Sequence, residues 1–347
     1  MLFTIAGGRD TGAVCHGGLA TIAGVLVCCL TFASVSSAQS TSPPSAPPDT
    51  TSNVTPDATS PQDDESPTFV FKKEVEEVIL HATVVDDQNR LITSLDRDKF
   101  AVYEDGKLQQ LTSFRMERVP VALGILIDNS GSMLPKRAKV NEAALQLVDA
   151  SQQEDRVFVV NFDEDAFLDQ DYTQDVSKLR AALQRVQTRG STALYDAIMA
   201  AVDHLNRTST LQKKVLLVVT DGRDNASQTT FQEVLRKLQT KDGPVLYTIA
   251  LDQTNGRDDS NRQSLRTLSE ETGGTAFFPS SLDEVQSIAR AIAEDIRNQY
   301  VIGYHSSNAR PAGSYHAIQV RAIDGSARLR VATRTGYYSG NNDSATN

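Results

Sequence analysis

Hydrophobic and polar positions divide the chain into a central region, in which predicted strands alternate with predicted helices, and two flanks that contain predicted strands alone. In the central region, short apolar runs end in turn residues, which is typical of strands buried on both faces of a sheet. Between these runs, apolar residues recur at the spacing of one helical face. This alternation predicts an α/β fold with a doubly wound, mostly parallel sheet that is flanked by helices.

The apolar runs predict strands in the central region over residues 119–128, 156–162, 214–221, 245–251 and 275–278. The helical spacing predicts helices over residues 136–150, 176–186, 231–238, 262–271 and 282–298, and another that begins at Thr192. In doubly wound sheets, ligands bind beyond the carboxyl ends of the strands, where the strand order reverses. Two predicted strands end in a carboxylate, Asp128 and Asp221. We therefore expect a site at this edge if those strands are neighbours.

The two flanks, residues 68–117 and 300–338, alternate apolar and polar positions, which is typical of antiparallel strands. In the N-terminal flank, the sequence EDGK from Glu104 to Lys107 predicts a hairpin turn. Neither flank has enough strands to bury a core by itself. We therefore expect the flanks to pack together as one small β module beside the domain formed by residues 118–299.

Oxygen-bearing side chains follow the predicted strands at their carboxyl ends. A carboxylate and two hydroxyls alternate in the turn after the first strand, a threonine precedes a helix, and a second carboxylate ends a later strand. We call these five residues the oxygen cluster: Asp128, Ser130, Ser132, Thr192 and Asp221. Hard oxygen ligands without histidine or cysteine suit Mg²⁺, Ca²⁺ or Mn²⁺, and not zinc.

The oxygen cluster resembles the metal-ion-dependent adhesion site (MIDAS) of von Willebrand factor type A domains, with all five positions in the family order. The resemblance implies a Rossmann-like fold and a bound divalent cation, Mg²⁺ by preference, with Mn²⁺ or Ca²⁺ possible. It also implies that the cation accepts an aspartate or glutamate from a partner protein. In the resembled family both flanks would leave the domain opposite the metal, and the last helix, residues 282–298, can shift when a ligand binds.

A narrower resemblance rests on the flanks. The EDGK sequence, the pattern Tyr300-x-x-Gly303-Tyr304, and the sequence TGYY from Thr335 to Tyr338 look like an exported bacterial group of such domains found widely in Acidobacteria. This resemblance bears on architecture more than on function.

Three function classes are compatible with the oxygen cluster. The first is a metal-dependent protein-binding module of the adhesion type, which needs no catalytic base. The second is a structural envelope protein whose metal makes the loops rigid. The third, a metal-assisted hydrolase, would need a general base beside the metal, and only the acidic residues from Asp163 to Asp171 are available. We expect a binding module and not an enzyme.

Other polar groups have simpler interpretations. The acidic residues 163–171 are interpreted as a solvated loop, with a rim that repels acidic competitors or binds a second cation as the alternative. Residues 223–225 are expected near the metal and could steer a partner. Histidines without metal-binding spacing are interpreted as structural or exposed, namely His81, His204, His305 and His316.

The N-terminus predicts export. Arg9 precedes an apolar segment over residues 19–35, and a small-x-small cleavage pattern ends at Ala38. Retention of this segment as a membrane anchor is the alternative. The three cysteines, Cys15, Cys28 and Cys29, all lie in it, so the mature protein would contain none.

The remaining composition fits an exported, soluble protein. Residues 39–67, rich in serine, threonine and proline, predict a disordered spacer, and residues 339–347 a disordered tail. The formal net charge of −10 argues against nucleic acid or an anionic membrane surface as a partner. We therefore expect a bacterial protein of the periplasm or cell surface, or a secreted one, with an unknown oligomeric state.

Overall fold

The computed structural model describes residues 77–116, 118–184, 190–251, 259–308, 310–325 and 327–340. The predicted signal peptide with its three cysteines, the spacer, the start of the N-terminal flank and most of the predicted tail lie outside these residues. Among the described helices, none combines the length and apolar character needed to cross a membrane.

The elements follow the predicted division into two flanks and a central region. The N-terminal flank contains β1 (Glu77–Val85), β2 (Phe100–Glu104), β3 (Lys107–Gln109) and β4 (Leu111–Arg115). The strands of the central region are β5 (Val121–Asp128), β6 (Arg156–Phe162), β7 (Ala166–Thr173), β8 (Lys213–Thr220), β9 (Val245–Ala250) and β10 (Ala276–Phe277). The C-terminal flank contains β11 (Tyr300–His305), β12 (Tyr315–Asp324), β13 (Ala327–Arg328), β14 (Arg330–Ala332) and β15 (Gly336–Tyr338).

The helices of the central region connect its strands. They are α1 (Arg137–Asp149), α2 (Val176–Gln184), α3 (Leu194–Thr208), α4 (Phe231–Leu238), α5 (Asp259–Glu271) and α6 (Val285–Arg297). The predicted helix over 282–298 thus begins with a 3-10 turn, Leu282–Glu284, which continues into α6.

The central strands form one sheet in the order β10-β9-β8-β5-β6-β7. The first five of these are parallel, and β7 pairs antiparallel with β6 at one edge. One face of the sheet packs against α1, α2 and α6, and the other against α3, α4 and α5. The predicted doubly wound, mostly parallel sheet is confirmed.

The two faces of β5 explain why its sequence is apolar from Val121 to Ile127. Every residue from Val121 to Asp128 is buried, because alternate side chains enter the cores on opposite faces of the sheet. Gly124 lies where α3 and the neighbouring strands crowd this strand. A Cβ there would lie 2.3 Å from the ring of Phe158 and 2.6 Å from Leu216, so only glycine fits without displacing them.

The prediction for the acidic residues after β6 is wrong in part. Asp163 to Asp165 form a turn, but Asp169 and Asp171 lie on the edge strand β7. This strand pairs only with β6, with two irregularities in register, and its first three residues are exposed. Its sequence therefore lacks the regular apolar alternation that identifies a strand.

The flanks pair with each other, as the fold prediction requires. One sheet has the order β14-β1-β11-β4, so that β11 of the C-terminal flank lies between two strands of the N-terminal flank. In the second sheet β12 pairs with β2, and β13 and β15 also pair with β12. A shared core that includes Leu80, Val102, Ile302 and Val320 fills the space between them. The β module is confirmed as a fold element built from both flanks.

The β module contacts the central sheet at its amino edge. The Arg334 guanidinium donates to the carbonyl oxygens of Thr240, Lys241 and Gly243 at 3.0, 2.6 and 2.7 Å, in the loop that leads into β9. The backbone N–H of Tyr338 donates to the Gln239 carbonyl at 2.8 Å. The carboxyl edge, where the oxygen cluster lies, is the opposite edge of the sheet.

Candidate metal centre

The strands β5 and β8 bring the two carboxylates of the oxygen cluster to one place. They are neighbouring parallel strands, with Ile127 opposite Val219 in the register. Asp128 ends β5, and Asp221 directly follows β8. The strand order reverses at β5, because β6 lies on one side of it and β8 on the other. The cluster therefore occupies the topological switch point at which doubly wound sheets bind ligands.

Asp128 lies at the base of the site and has no exposed surface. Its Oδ1 accepts a hydrogen bond from the Ser130 backbone N–H at 2.8 Å, and its Oδ2 accepts one from the Thr220 hydroxyl at 2.6 Å. Burial raises the pKa of Asp128, these hydrogen bonds oppose the rise, and the charge of Asp221 adds to it. These donors fix the orientation of the carboxylate.

The two serines continue from Asp128 towards solvent. A 3-10 turn over Gly131–Met133 follows Ser130, and the buried side chain of Met133 anchors this turn in the core. The hydroxyl oxygens of Ser130 and Ser132 lie 3.2 Å apart, and the Ser132 hydroxyl donates to Oδ1 of Asp221 at 2.7 Å. Ser130, Ser132 and Asp221 thus form one continuous set of oxygen atoms.

Thr192 approaches from the loop before α3. The prediction that a helix begins at Thr192 is wrong by two residues, because Ala193 has a non-helical backbone (φ −96°, ψ 63°) and α3 starts at Leu194. The Ala193 N–H donates to the Asp163 carbonyl at 2.6 Å. Thr192 is buried, and its hydroxyl oxygen lies 3.4 Å from the position that a Cβ on Gly222 would take. The threonine hydroxyl therefore lies beside the residue that directly follows Asp221.

The five predicted residues therefore meet at one edge of the sheet. Their contacting atoms are carboxylate and hydroxyl oxygens, without nitrogen or sulfur, and this donor set fits a hard divalent cation. Asp128, Ser130 and Thr192 are buried, whereas Ser132 is exposed. The site is therefore closed at its base and open to solvent on one side. Metal binding by these residues stays a prediction.

Residues 223–225 lie beside the site, and two of them stabilise its loop. The Asn225 side chain accepts from the Thr192 N–H at 2.8 Å, and the Asn225 N–H donates to the Thr192 carbonyl at 3.0 Å. Asp224 accepts from the Ser227 hydroxyl at 2.5 Å. Arg223 is exposed, and its role in steering a partner stays a prediction.

Two basic residues at the start of α1 were not predicted to belong to the site. The Lys136 ammonium forms an ion pair with Oδ2 of Asp221. The Arg137 side chain is buried and donates to the Asn161 amide oxygen at 2.9 Å and to the Asp128 carbonyl at 3.5 Å. Burial lowers the pKa of Arg137 to about 10. Positive charges are unfavourable at a helix N-terminus because of the helix dipole. Two adjacent basic residues at the predicted helix start could therefore have indicated that negative charges lie nearby.

A second polar cluster lies in the β module. Ligand atoms of Glu104, Asp105 and His316 lie within 4.8 Å of one another. Oε1 of Glu104 is 3.0 Å from His316 Nδ1, and its Oε2 accepts from the Tyr304 hydroxyl at 2.7 Å. The Arg310 guanidinium pairs with Asp105 at 3.2 Å. These partners already surround the carboxylates, so we interpret the cluster as a hydrogen-bonded joint between the flanks.

The other described histidines have separate environments. His204 lies 2.9 Å from an oxygen of Asp171 and stacks on Tyr172. His81 lines a cavity of about 360 Å³ between the β module and the amino edge of the central sheet, and burial lowers its pKa. Neither of these histidines, nor His305 at the end of β11, is part of the oxygen cluster.

Comparison with known proteins finds a family match in the central region. Residues 123–291 match the family model of the von Willebrand factor type A domain. An uncharacterized protein of Synechocystis is 26% identical over 110 residues, which cover 31% of this chain and 26% of that protein. The matched region thus spans about a quarter of the curated relative.

Three solved structures are among those similar to this chain. The von Willebrand factor type A protein from Catenulispora acidiphila has a TM-score of 0.45 at 13% identity, over 78% of this chain and 76% of that chain. The von Willebrand factor domain of the pilus tip protein Mfa5 from Porphyromonas gingivalis has a TM-score of 0.44 at 13% identity, over 52% of this chain and 95% of that chain. Proximal thread matrix protein 1 from the mussel byssus, with a zinc-occupied MIDAS motif, has a TM-score of 0.46 at 18% identity, over 57% of this chain and 50% of that chain.

Proposed function

We propose that this chain, which contains a von Willebrand factor type A domain over residues 123–291, is a metal-dependent protein-binding module of the adhesion type. Its oxygen cluster would hold a divalent cation, Mg²⁺ by preference, with Mn²⁺ or Ca²⁺ as alternatives. The observation that carries the proposal is the meeting of five hard oxygen donors at the switch point of the sheet, where Ser130, Ser132 and Asp221 contact one another in series.

The chain's own residues would position the ligands. Thr220 and the Ser130 N–H orient the Asp128 carboxylate, Met133 fixes the turn that carries both serines, and Asn225 holds the backbone of Thr192. A cation bound to these oxygens, partly through water, would keep a coordination position for an aspartate or glutamate of a partner protein. The open side at Ser132 would give that carboxylate access.

The positions of the β module and of the site support a binding role at an exposed edge. The module contacts the amino edge of the sheet, and the oxygen cluster lies at the carboxyl edge, so the module does not cover the site. We propose that the protein is exported and presents this edge to its partner. A structural envelope protein with a metal-stabilised site remains the alternative. A binding module needs no general base.

Calorimetric titration of the intact protein with Mg²⁺, Mn²⁺, Ca²⁺ and Zn²⁺ tests the site. We expect binding of Mg²⁺ or Mn²⁺, and loss of binding in Asp128→Ala, because the variant keeps three hydroxyls and one carboxylate, Asp221, which is already paired with Lys136. The matched control is Asp283→Ala, which removes a carboxylate that is 84% exposed and distant in sequence from the cluster. Unchanged affinity in Asp128→Ala would mean that the site is elsewhere.

A capture experiment separates binding from structure. Envelope extract is passed over the immobilised protein with Mg²⁺ and with a chelator, and circular dichroism is recorded under both conditions. A binding module should lose its partner on chelation while the fold is retained. If the same proteins were captured in equal amounts with Mg²⁺ and with the chelator, metal-dependent adhesion would be contradicted.

A further inference from the structure

Lys136 contacts a carboxylate of the proposed metal centre directly. Its ammonium pairs with Oδ2 of Asp221, while Ser132 donates to Oδ1 of the same carboxylate at 2.7 Å. The Lys136 and Asp221 side chains are 14% and 1% exposed. This is therefore a largely buried ion pair, in which removal of one charge leaves the other without compensation.

The backbone places Lys136 beside the oxygen cluster. Its N–H donates to the Met133 carbonyl at 2.9 Å, and its carbonyl accepts from the Val140 N–H at 3.2 Å. The residue is thus fixed between the turn that carries Ser132 and the first turn of α1. A cation at this helix terminus is unfavourable by itself, so Asp221 provides the compensating charge.

The charges of the cluster depend on this lysine. Asp128 and Asp221 carry two negative charges, and Lys136 cancels one of them. A divalent cation would leave the cluster with one positive charge, which a carboxylate from a partner would neutralise. Without Lys136, the cation alone would make the cluster neutral, and the added carboxylate would make it negative. Arg137, whose guanidinium donates to the Asp128 carbonyl at 3.5 Å, adds one positive charge, and Asp169 adds one negative charge beside it, so these two leave the sum unchanged.

We propose that Lys136 makes binding of the cation and binding of a carboxylate cooperative. Lys136 competes with the cation for Asp221, so the cation alone binds weakly. A carboxylate ligand then restores neutrality and strengthens cation binding. Because coupling between two ligands is reciprocal, the cation strengthens carboxylate binding by the same factor. This inference rests on the proposed function and concerns the regulation of that site.

The test is calorimetric titration of the full chain with Mn²⁺, in chloride and in a saturating concentration of acetate at equal ionic strength. The variant is Lys136→Met, which keeps an unbranched side chain without the charge. The matched control is Lys139→Met, which removes an exposed lysine three residues later, in the first turn of α1. We expect Lys136→Met to bind Mn²⁺ alone about tenfold more tightly than wild type, within the usual range of such couplings.

Acetate gives the second readout. It should strengthen Mn²⁺ binding several-fold in wild type and in Lys139→Met, but less than twofold in Lys136→Met. Equal acetate effects in all three proteins, or equal Mn²⁺ affinities in chloride, would overturn the inference. Absence of Mn²⁺ binding to wild type in both chloride and acetate would instead refute the proposed function.

A supporting role of Lys136 is the competing interpretation. Under it, a folded Lys136→Met protein would bind Mn²⁺ more weakly than wild type, and this result would also overturn the inference. Circular dichroism establishes that the variant is folded. If Lys136→Met does not fold, Lys136→Gln is compared with Lys136→Arg, which keeps the charge. Tighter Mn²⁺ binding in Lys136→Gln alone would support the inference, and equal or weaker binding would overturn it.

Discussion

The Tyr304 hydroxyl donates a hydrogen bond to Oε2 of Glu104 at 2.7 Å, across 200 residues of sequence. Glu104 has no exposed surface, and its Oε1 also accepts from the Ser306 hydroxyl at 2.5 Å. Burial and the neighbouring Glu104 carboxylate raise the pKa of Tyr304, so its hydroxyl stays a proton donor. The EDGK turn and the Tyr-x-x-Gly-Tyr pattern therefore meet at one buried carboxylate.

Tyr304→Phe should lower the free energy of unfolding by about 1.5–3 kcal/mol, the usual contribution of a hydrogen bond to a charged group. Urea unfolding measures the change. The matched control is Tyr103→Phe, on a half-buried tyrosine whose ring contacts Arg321, and we expect it to change the stability by less than about 0.5 kcal/mol. If Tyr304→Phe also changed the free energy of unfolding by less than about 0.5 kcal/mol, the prediction that this hydrogen bond stabilises the fold would be wrong.

Removal of residues 300–347 should make the N-terminal flank sensitive to protease. The truncation takes β11 from between β1 and β4, and takes β12 from β2, so these strands lose their hydrogen-bonded neighbours. Limited proteolysis with mass spectrometry should show rapid cleavage between residues 77 and 116, while fragments spanning 121–251 persist. Protection of 77–116 in the truncated protein would mean that the flanks are stable independently.

The stability of the protein should depend on pH through Lys213. Burial lowers the pKa of Lys213 from 10.5 to about 7. Between these values the folded protein binds fewer protons than the unfolded chain, so the free energy of unfolding rises with pH. Below about pH 7 both forms are protonated and this contribution stays constant.

The test compares wild type with Lys213→Met by urea unfolding at pH 7 and pH 9. The stability of wild type relative to the variant should increase by about 2 kcal/mol over this interval. Lys139→Met, at an exposed position, should track wild type. If the difference between wild type and Lys213→Met is the same at both pH values, the lysine is not desolvated in the folded protein.

The contacts of α6 make the expected helix shift testable. Asp295 near its end accepts from the Thr83 hydroxyl of β1 and, at 2.8 Å, from the Tyr247 hydroxyl of β9. A shift of α6 would break these bonds, so hydrogen exchange should increase in α6 and near Thr83 together when Mn²⁺ and acetate are added. α4 serves as the internal reference. If hydrogen exchange in α6 were the same with and without Mn²⁺ and acetate, the hypothesis that α6 shifts would be wrong.

Most strands of the central sheet could be predicted because their central residues form continuous apolar runs. β6 contains the apolar run Val157-Phe158-Val159-Val160, which is typical of a buried strand. Its predicted bounds, 156–162, are the observed ones. The edge strand β7 could not be predicted, because its start is exposed and only its pairing with β6 defines it. An apolar run in the sequence indicates that a strand is buried. An edge strand that is mostly exposed has no such run, so the sequence does not identify it.

Within the site, sequence reasoning identified the oxygen atoms but not the cation beside them. Asp128 and Asp221 are recognisable from their positions at strand ends, which are local features. The pair between Lys136 and Asp221 joins residues 85 positions apart, and it depends on how β5, β8 and α1 meet. Local preference also placed the helix start at Thr192, whereas the non-helical backbone of Ala193 delays it to Leu194.

The antiparallel pairing of β1 with β11 has a mechanical consequence. Glu77, the first residue of β1, lies opposite His305, and Tyr300, which follows the end of α6, lies opposite Ala82. A pull on the chain ahead of Glu77, opposed by a load at the carboxyl edge of the central sheet, would draw the two strands lengthwise in opposite directions. The load would then act in shear on all six registered pairs from Glu77 to Ala82 at once, instead of opening them one after another.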